Sequence, residues 1–355
     1  MKIAITGDAH LTMRKAHPER WRTFENMLRQ IAQEDINKLI IAGDLFHEDY
    51  RNYSEFDELT SKYEDTEFHI IPGNHDSAIS QKYLTGDNVI VYREPKIVPF
   101  EGPTFSFLFL PYKSGKTMGE EIATFQDRLK DIKWILISHG DWSGSLHKPN
   151  PSEPGVYMPL SRRDIDDYEP ALTILGHIHE PLDDERYNVH YVGSPCGLDI
   201  TETGRRRCLI LNTENLDLKP MVVNSEIIYF SETITIYPME DERKYLEDQI
   251  KKIRDKWSIN SAEKSKVQIR IKVQGYSSNK RELQKIIEQD FSDLYFYNNE
   301  GPDVSAVDDS DDYELLKISN KVLEKINQKP WQENEEEPDK NEIVLQALQT
   351  IYNIR

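Results

Sequence analysis

Short apolar, β-prone runs recur from Met1 to about Tyr229, separated by charged or helical stretches: KIAIT, KLIIAG, EFHIIPG, FSFLFLP, WILISHG, LTILGH, VHYVGS and CLILN. Apolar runs of about four to eight residues bounded by Gly, Pro and Asp predict strands buried on both faces. The expected core is therefore α/β, or a β-sandwich flanked by helices. Several runs end in Gly followed by Asp, Asn or His, so polar side chains should emerge at strand ends, where such folds place their chemistry.

Near Ile228 the pattern changes. TITIYP, a charged helical run from Glu240 to Trp257, KVQIRIKVQGY and NKRELQKIIEQDF predict a small α+β unit of two strands and two helices. DVSAVDDSDDYE (Asp303 to Glu314) and ENEEEPDKNE (Glu333 to Glu342) read as solvated acidic linkers. Between and beyond them lie two amphipathic helices, one with Leu315, Leu316, Ile318, Val322, Leu323 and Ile326 on its apolar face, the other with Ile343, Val344, Leu345, Leu348, Ile351 and Tyr352. Such helices either fold back on their own core or present a docking face to a partner helix. The layout divides the chain into a main domain over residues 1–228, an α+β cap over 229–302, an acidic linker over 303–312 and a helical module over 313–355.

Composition narrows the chemistry. Among the 355 residues no apolar run approaches the roughly 20 that a membrane span needs, and the N-terminus enters a strand-like run rather than a signal peptide, so a cytoplasmic protein is expected. Cys196 and Cys208 are the sole cysteines and have no CxxC spacing, which leaves His, Asp and Asn to hold any metal. The net charge of -19 weighs against a polyanionic partner, but much of the acid lies in the two linker-like runs. PYKSGKT imitates the end of a phosphate-binding loop, yet Leu110 stands where the first glycine is required, so no ATP site is expected there.

Five strand-end groups carry ligand-type side chains: GDAH (Asp8, His10), AGDLFH (Asp44, His47), PGNHD (Asn74, His75, Asp76), SHGD (His139) and GHIH (His177, His179). So many buried polar groups would be costly without a shared cation or network. Carboxylate oxygens mixed with imidazole suit manganese, iron or zinc, and a bridging carboxylate can hold two such ions about 3.5 to 4 Å apart, the arrangement of a dinuclear phosphoesterase.

In this order the motifs D-x-H, G-D, G-N-H-D, a strand-end His and G-H-x-H resemble the calcineurin-like metallophosphoesterase superfamily, over Met1 to about Leu211. The resemblance implies one metal held by Asp8, His10 and His179, a second by Asn74, His139 and His177, and Asp44 bridging them. It also implies that His75 protonates the leaving oxygen or stabilises the transition state, with Asp76 as its orienting partner. AGDLFH, IPGNHDS and YVGSPCGLDITE further resemble the SbcD-type double-strand-break repair nucleases, above all their compact form in T-even-like phages. That branch implies two Mn2+ ions, His47 assisting at the phosphate, exonuclease action on double-stranded DNA ends and endonuclease action on single strands. It implies as partners a second copy of the chain, joined through the core, and the coiled coil of an SbcC-type ABC/SMC-like ATPase subunit, bound by the C-terminal helices. The G-D-x-x-D-R-G and G-N-H-E pattern of protein Ser/Thr phosphatases is missing. Two matters stay open: Arg205, Arg206 and Arg207 either grip a DNA backbone or close a turn before CLILN, and the acidic charge favours a phosphatase or cyclic-nucleotide phosphodiesterase on the same scaffold.

Overall fold

A computed structural model describes residues 1–47, 53–99, 105–144, 155–237, 241–277, 279–309, 313–331 and 340–352. The chain opens with β1 (Lys2–Thr6), α1 (Pro18–Gln33), β2 (Lys38–Ala42), α2 (Ser54–Thr60), β3 (Glu67–Ile71), β4 (Val89–Val91), β5 (Lys96–Pro99) and β6 (Phe105–Leu110). There follow α3 (Met118–Ala123), α4 (Gln126–Leu129), β7 (Lys133–His139), α5 (Arg162–Tyr168), β8 (Leu172–Gly176), β9 (Leu182–Asp184), β10 (Val189–Tyr191), β11 (Arg207–Asn212) and β12 (Asp217–Val222). These strands form two six-stranded sheets, ordered β12-β11-β1-β2-β3-β4 and β5-β6-β7-β8-β10-β9. The chain is mixed α/β, as expected.

The period-two geometry of a strand explains why its runs are apolar throughout. Ile3, Ile5, Ile40 and Ile71 face Phe107, Phe109, Ile135, Ile137 and Ile174 in the layer between the sheets. Their neighbours Ala4, Leu39, Ile41 and Ile70 turn the other way, onto Trp21, Phe24, Met27 and Ile31 of α1. The second sheet does the same: Leu108, Leu110, Leu136 and Leu175 pack on Met118 and Ile122 of α3. With both faces covered, β1 to β4 run parallel, as do β6, β7, β8 and β10, and their C-terminal ends deliver the polar loops.

The contacts divide the chain into two compact units, one of residues 1–198 and 205–227, the other of 199–204 and 228–355. The second contains β13 (Ile228–Ile236), α6 (Glu242–Trp257), β14 (Val267–Ser277), α7 (Lys280–Asp290), β15 (Tyr295–Phe296), β16 (Asp303–Asp309), α8 (Tyr313–Gln328) and α9 (Lys340–Tyr352). Its sheet is richer than the two strands expected, because β14 pairs in parallel with β13, β15 and β16.

Strand β16 corrects the expected linker over residues 303–312. Val307 is fully buried and Val304 packs on the same core, while Asp303 and Asp308 are exposed and Asp303 pairs with Lys272 across the ladder. A run rich in acid can thus remain a strand when its few apolar residues occupy the inward positions. Residues 310–312, and most of ENEEEPDKNE, lie outside the described residues.

The two terminal helices fold back, the first of the two alternatives. Leu323 of α8 and Val344 and Leu348 of α9 are buried with Tyr276 of β14, and Tyr352 stacks on Tyr276 with ring centroids 4.3 Å apart. Ile318 on α8 stays exposed. Among the described residues no helix is long and apolar enough to cross a membrane.

Candidate metal centre

All five strand-end groups converge within the first unit. Asp8 and His10 follow β1, Asp44 and His47 follow β2, Asn74, His75 and Asp76 follow β3, His139 ends β7, and His177 and His179 follow β8. The β1 and β2 loops continue side by side past the sheet: the Asp8 N–H donates to Gly43 O, the His10 N–H to Asp44 O and the His47 N–H to Leu11 O, each at 3.0 Å. The path requires left-handed backbone at Asp8 (φ 52°), His10 (φ 43°), Asp44 (φ 48°) and His177 (φ 97°). For non-glycine residues this costs about 1–3 kcal/mol each and persists where the surroundings over-determine the chain. Two glycines let the loops close up: a Cβ on Gly43 (φ 90°) would strike the His139 ring, and one on Gly73 would strike the Asp44 carboxylate.

Asp44 occupies the centre. Its Oδ1 accepts the His75 N–H at 2.9 Å, which leaves Oδ2 between His10 Nε2 at 3.6 Å and His139 Nε2 at 3.3 Å. On one side His10 Nε2 and His179 Nε2 meet 3.0 Å apart, and Asp8, His10 and His179 form a group whose ligand atoms could share one ion. On the other, His139 Nε2 lies 2.8 Å from Asn74 Oδ1, while its Nδ1 is 2.9 Å from Ala42 O, a partner that keeps Nε2 for the centre. Asp8, Asp44 and His139 form a second group of shared reach, so Asp8 borders both sides. The Asp8 Oδ1 accepts the His177 N–H at 2.9 Å, whereas Oδ2 is buried without a hydrogen-bond partner among the described residues. A buried carboxylate of that kind, grouped with imidazole nitrogens within shared reach, fits a divalent cation.

The electrostatics carry the same demand. Burial works against a charged His139, but the Asp44 and Asp8 carboxylates outweigh it and push the imidazole up to about 10. Burial raises Asp8 to about 6, with the positive charge of His139 working against the rise. Burial would raise Asp44 as well, yet His139 and His10 hold it well below the usual carboxylate range, and desolvation keeps His10 well below an ordinary imidazole. Two buried carboxylates beside His139 thus create a demand for positive charge that a bound cation would meet.

The remaining residues of the five groups differ in what they face. His47 lies at the rim, its Nδ1 3.4 Å from His10 Nδ1 and its ring stacked on His75 with centroids 5.4 Å apart and planes 17° apart. His177 lies beside His139, ring centroids 5.4 Å apart, but its Nε2 faces Asp141 Oδ1 at 3.6 Å. Asp76 corrects its assigned role as orienting partner of His75: its two oxygens accept the Gly73 N–H at 2.7 Å and the Phe46 N–H at 3.1 Å. The carboxylate therefore ties the β2 and β3 loops together, and its proximity in sequence to His75 is a consequence of that tight turn.

The arginine triplet also divides. Arg206 is buried and donates to His179 O at 3.0 Å, and Arg207 makes a two-pronged bond to Asp183 at 2.7 Å on each arm. Both are engaged by the protein itself, which corrects their assignment to a DNA backbone; Arg205 is exposed. Asp141 and Tyr157 went unnoticed in the sequence, although Asp141 stands two residues after His139 in SHGD. Asp141 Oδ2 accepts the Tyr157 N–H at 2.5 Å, and the Tyr157 ring lies 4.7 Å from that of His177. His69 and His190 sit in structural pairs with Tyr92 and Asp183, and His147 lies outside the described residues.

Comparison with known proteins bears on this geometry. The chain resembles the 3',5'-cyclic-nucleotide phosphodiesterase alr5338 of Nostoc sp. (strain PCC 7120 / SAG 25.82 / UTEX 2576), with 27% identity over 175 residues, 45% of this chain and 62% of that protein. It thus matches less than two thirds of that relative's length. Among solved structures, TT1561 of Thermus thermophilus is 14% identical, with 63% of this chain and 99% of that one covered and a TM-score of 0.44. A second structure stands at 15% identity, the same coverage and a TM-score of 0.43. A family model described as calcineurin-like phosphoesterase matches residues 1–193, the stretch that carries every ligand-type residue from Asp8 to His179. The chain therefore belongs to the calcineurin-like phosphoesterases.

Proposed function

We propose that the protein is a manganese-dependent DNA nuclease that hydrolyses phosphodiester bonds, exonucleolytically at double-stranded ends and endonucleolytically on single strands. The observation that carries the two-metal part is Asp44 Oδ2 lying between His10 Nε2 and His139 Nε2. Asp8, His10 and His179 would hold one ion, Asn74, His139 and His177 the other, with Asp44 common to both. Bound there, the two cations would supply Lewis-acid chemistry, neutralising charge at phosphorus and activating water at neutral pH. His75, half-buried at the rim, donates a proton to the departing ester oxygen. His47, stacked on it, fixes the plane of the donor ring.

The choice of DNA rests on AGDLFH, IPGNHDS and YVGSPCGLDITE, and on the α+β unit and helix pair that follow the catalytic unit. In this reading the face that α8 and α9 leave uncovered after folding back, where Ile318 is exposed, recruits an ABC/SMC-like ATPase subunit, and the catalytic units of two copies pair. A second reading, hydrolysis of cyclic nucleotides, is favoured by the Nostoc relative and by the net charge of -19. Turnover of blunt, overhanging and circular DNA should be compared with that of cyclic nucleotides and a phosphoprotein, in Mn2+ or Mg2+, with and without an ATPase subunit. DNA cleavage that requires Mn2+ and vanishes in His75→Ala, while metal binding survives, is expected; cyclic-nucleotide turnover without DNA cleavage would sink the first reading.

A further inference from the structure

Two arginines that the proposed chemistry does not use lie behind the centre. Arg20, on α1, is 8% exposed and donates through Nη1 to the backbone carbonyl of His10 at 2.8 Å. Arg206, at the foot of β11, is 3% exposed and donates through Nη1 to the backbone carbonyl of His179 at 3.0 Å. The carbonyls they hold belong to the two histidines whose Nε2 atoms meet 3.0 Å apart. Both guanidinium groups lie in the region of the buried Cys196 thiol, together with the Glu19 carboxylate.

Burying a guanidinium is expensive unless its bonds offset the lost hydration, and two in one region add mutual repulsion. A charge-assisted bond to a carbonyl is stronger than a neutral one and sets the direction of the peptide it grips. His10 needs such a grip, because its φ of 43° is a conformation that its own side chain disfavours.

We propose that Arg20 and Arg206 are positioning residues for the first cation: each clamps the main chain of one histidine from behind, and together they set where the two Nε2 atoms converge. This deepens the proposed function and rests on its assignment of His10 and His179 to one ion, but not on DNA as the substrate. Charge alone predicts the opposite sign. Two positive groups near a cation repel it, so if they acted only through their field, their removal would tighten metal binding.

The test is Mn2+ titration of the full chain followed by electron paramagnetic resonance, which separates free ion, a single bound ion and an exchange-coupled pair. Arg20→Met and Arg206→Met keep the apolar stem and lose donor and charge; Arg206→Lys keeps the charge and a donor. Each Met variant should lose the coupled-pair spectrum and bind the first ion about 10–100-fold more weakly, with the second within about threefold of wild type and the Lys variant recovering part of the loss. Unchanged or tighter binding in both Met variants would overturn the clamp. So would an equal weakening of both ions that tracks a fall in unfolding midpoint measured with chelator, which marks a merely structural role. The predicted binding pattern in a protein that cleaves no DNA would support the clamp while removing the nuclease reading.

Discussion

Val307→Asp tests whether residues 303–309 are strand or linker. Val307 is fully buried, opposite Gly275 in the β14–β16 ladder, in a core with Ile271, Leu283 and Ile287. Removing the valine forfeits about 1.5–3 kcal/mol of apolar burial. The new carboxylate must then either stay ionised in that core or take up a proton, at a further several kcal/mol. Together these approach the ~5–15 kcal/mol that stabilises a whole domain, so the second unit should unfold or open locally. Val307→Ala should cost about 2 kcal/mol, for two lost methyl groups and an imperfectly filled space. Ser305→Asp, at an exposed position of the same strand, should stay within about 0.5 kcal/mol of wild type. Urea titration followed by hydrogen exchange of the peptides covering β14 and β16 reads both the midpoint and the place. Wild-type protection in Val307→Asp would refute the strand and restore the linker.

Three further outcomes follow from the catalytic unit. Asp76→Ala leaves the Gly73 and Phe46 N–H groups without their acceptor, at about 1–3 kcal/mol each, and should speed exchange of both loops and weaken Mn2+ binding; unchanged exchange would mean that water replaces the carboxylate. Gly43→Ala forces a side chain into left-handed backbone and against the His139 ring, so a loss of about 1–3 kcal/mol and of Mn2+-dependent turnover is expected; a fully active, equally stable variant would contradict the packing. Burial alone would raise Asp183, but His190 and Arg207 hold its carboxyl well below the usual range. A folded-state value below the unfolded one means stability that is complete above the ordinary carboxylate range and lost as pH falls from that range towards the depressed folded value. Asp183→Asn should therefore flatten the acid side of the curve of unfolding midpoint against pH below about pH 4; an unaltered acid side would show that the pair contributes nothing there.

Sequence alone determined the parts of this protein that follow from local pattern. Runs such as KLIIA and ILIS pointed to strands covered on both faces, since they are short, rich in β-branched residues and bounded by Gly, Pro or Asp, and the polar residues after each run were expected at strand ends. Residue types and order likewise pointed to the ligand set from Asp8 to His179 and to the family. Tertiary structure alone decided what each group faces. Asp76 was adjacent to His75 in the chain but turned to Gly73 and Phe46, and Arg206, one of three consecutive arginines, turned inward to a histidine carbonyl while Arg205 stayed outside. The acidic segment showed the same limit, because Val304 and Val307 find their core only in helices and strands that precede them in the chain, as far back as Ile228. Local sequence sets which conformations are cheap and which side chains carry chemistry; the partner that makes a buried charge or an inward valine tolerable comes from elsewhere in the chain, and only the packed fold brings it there.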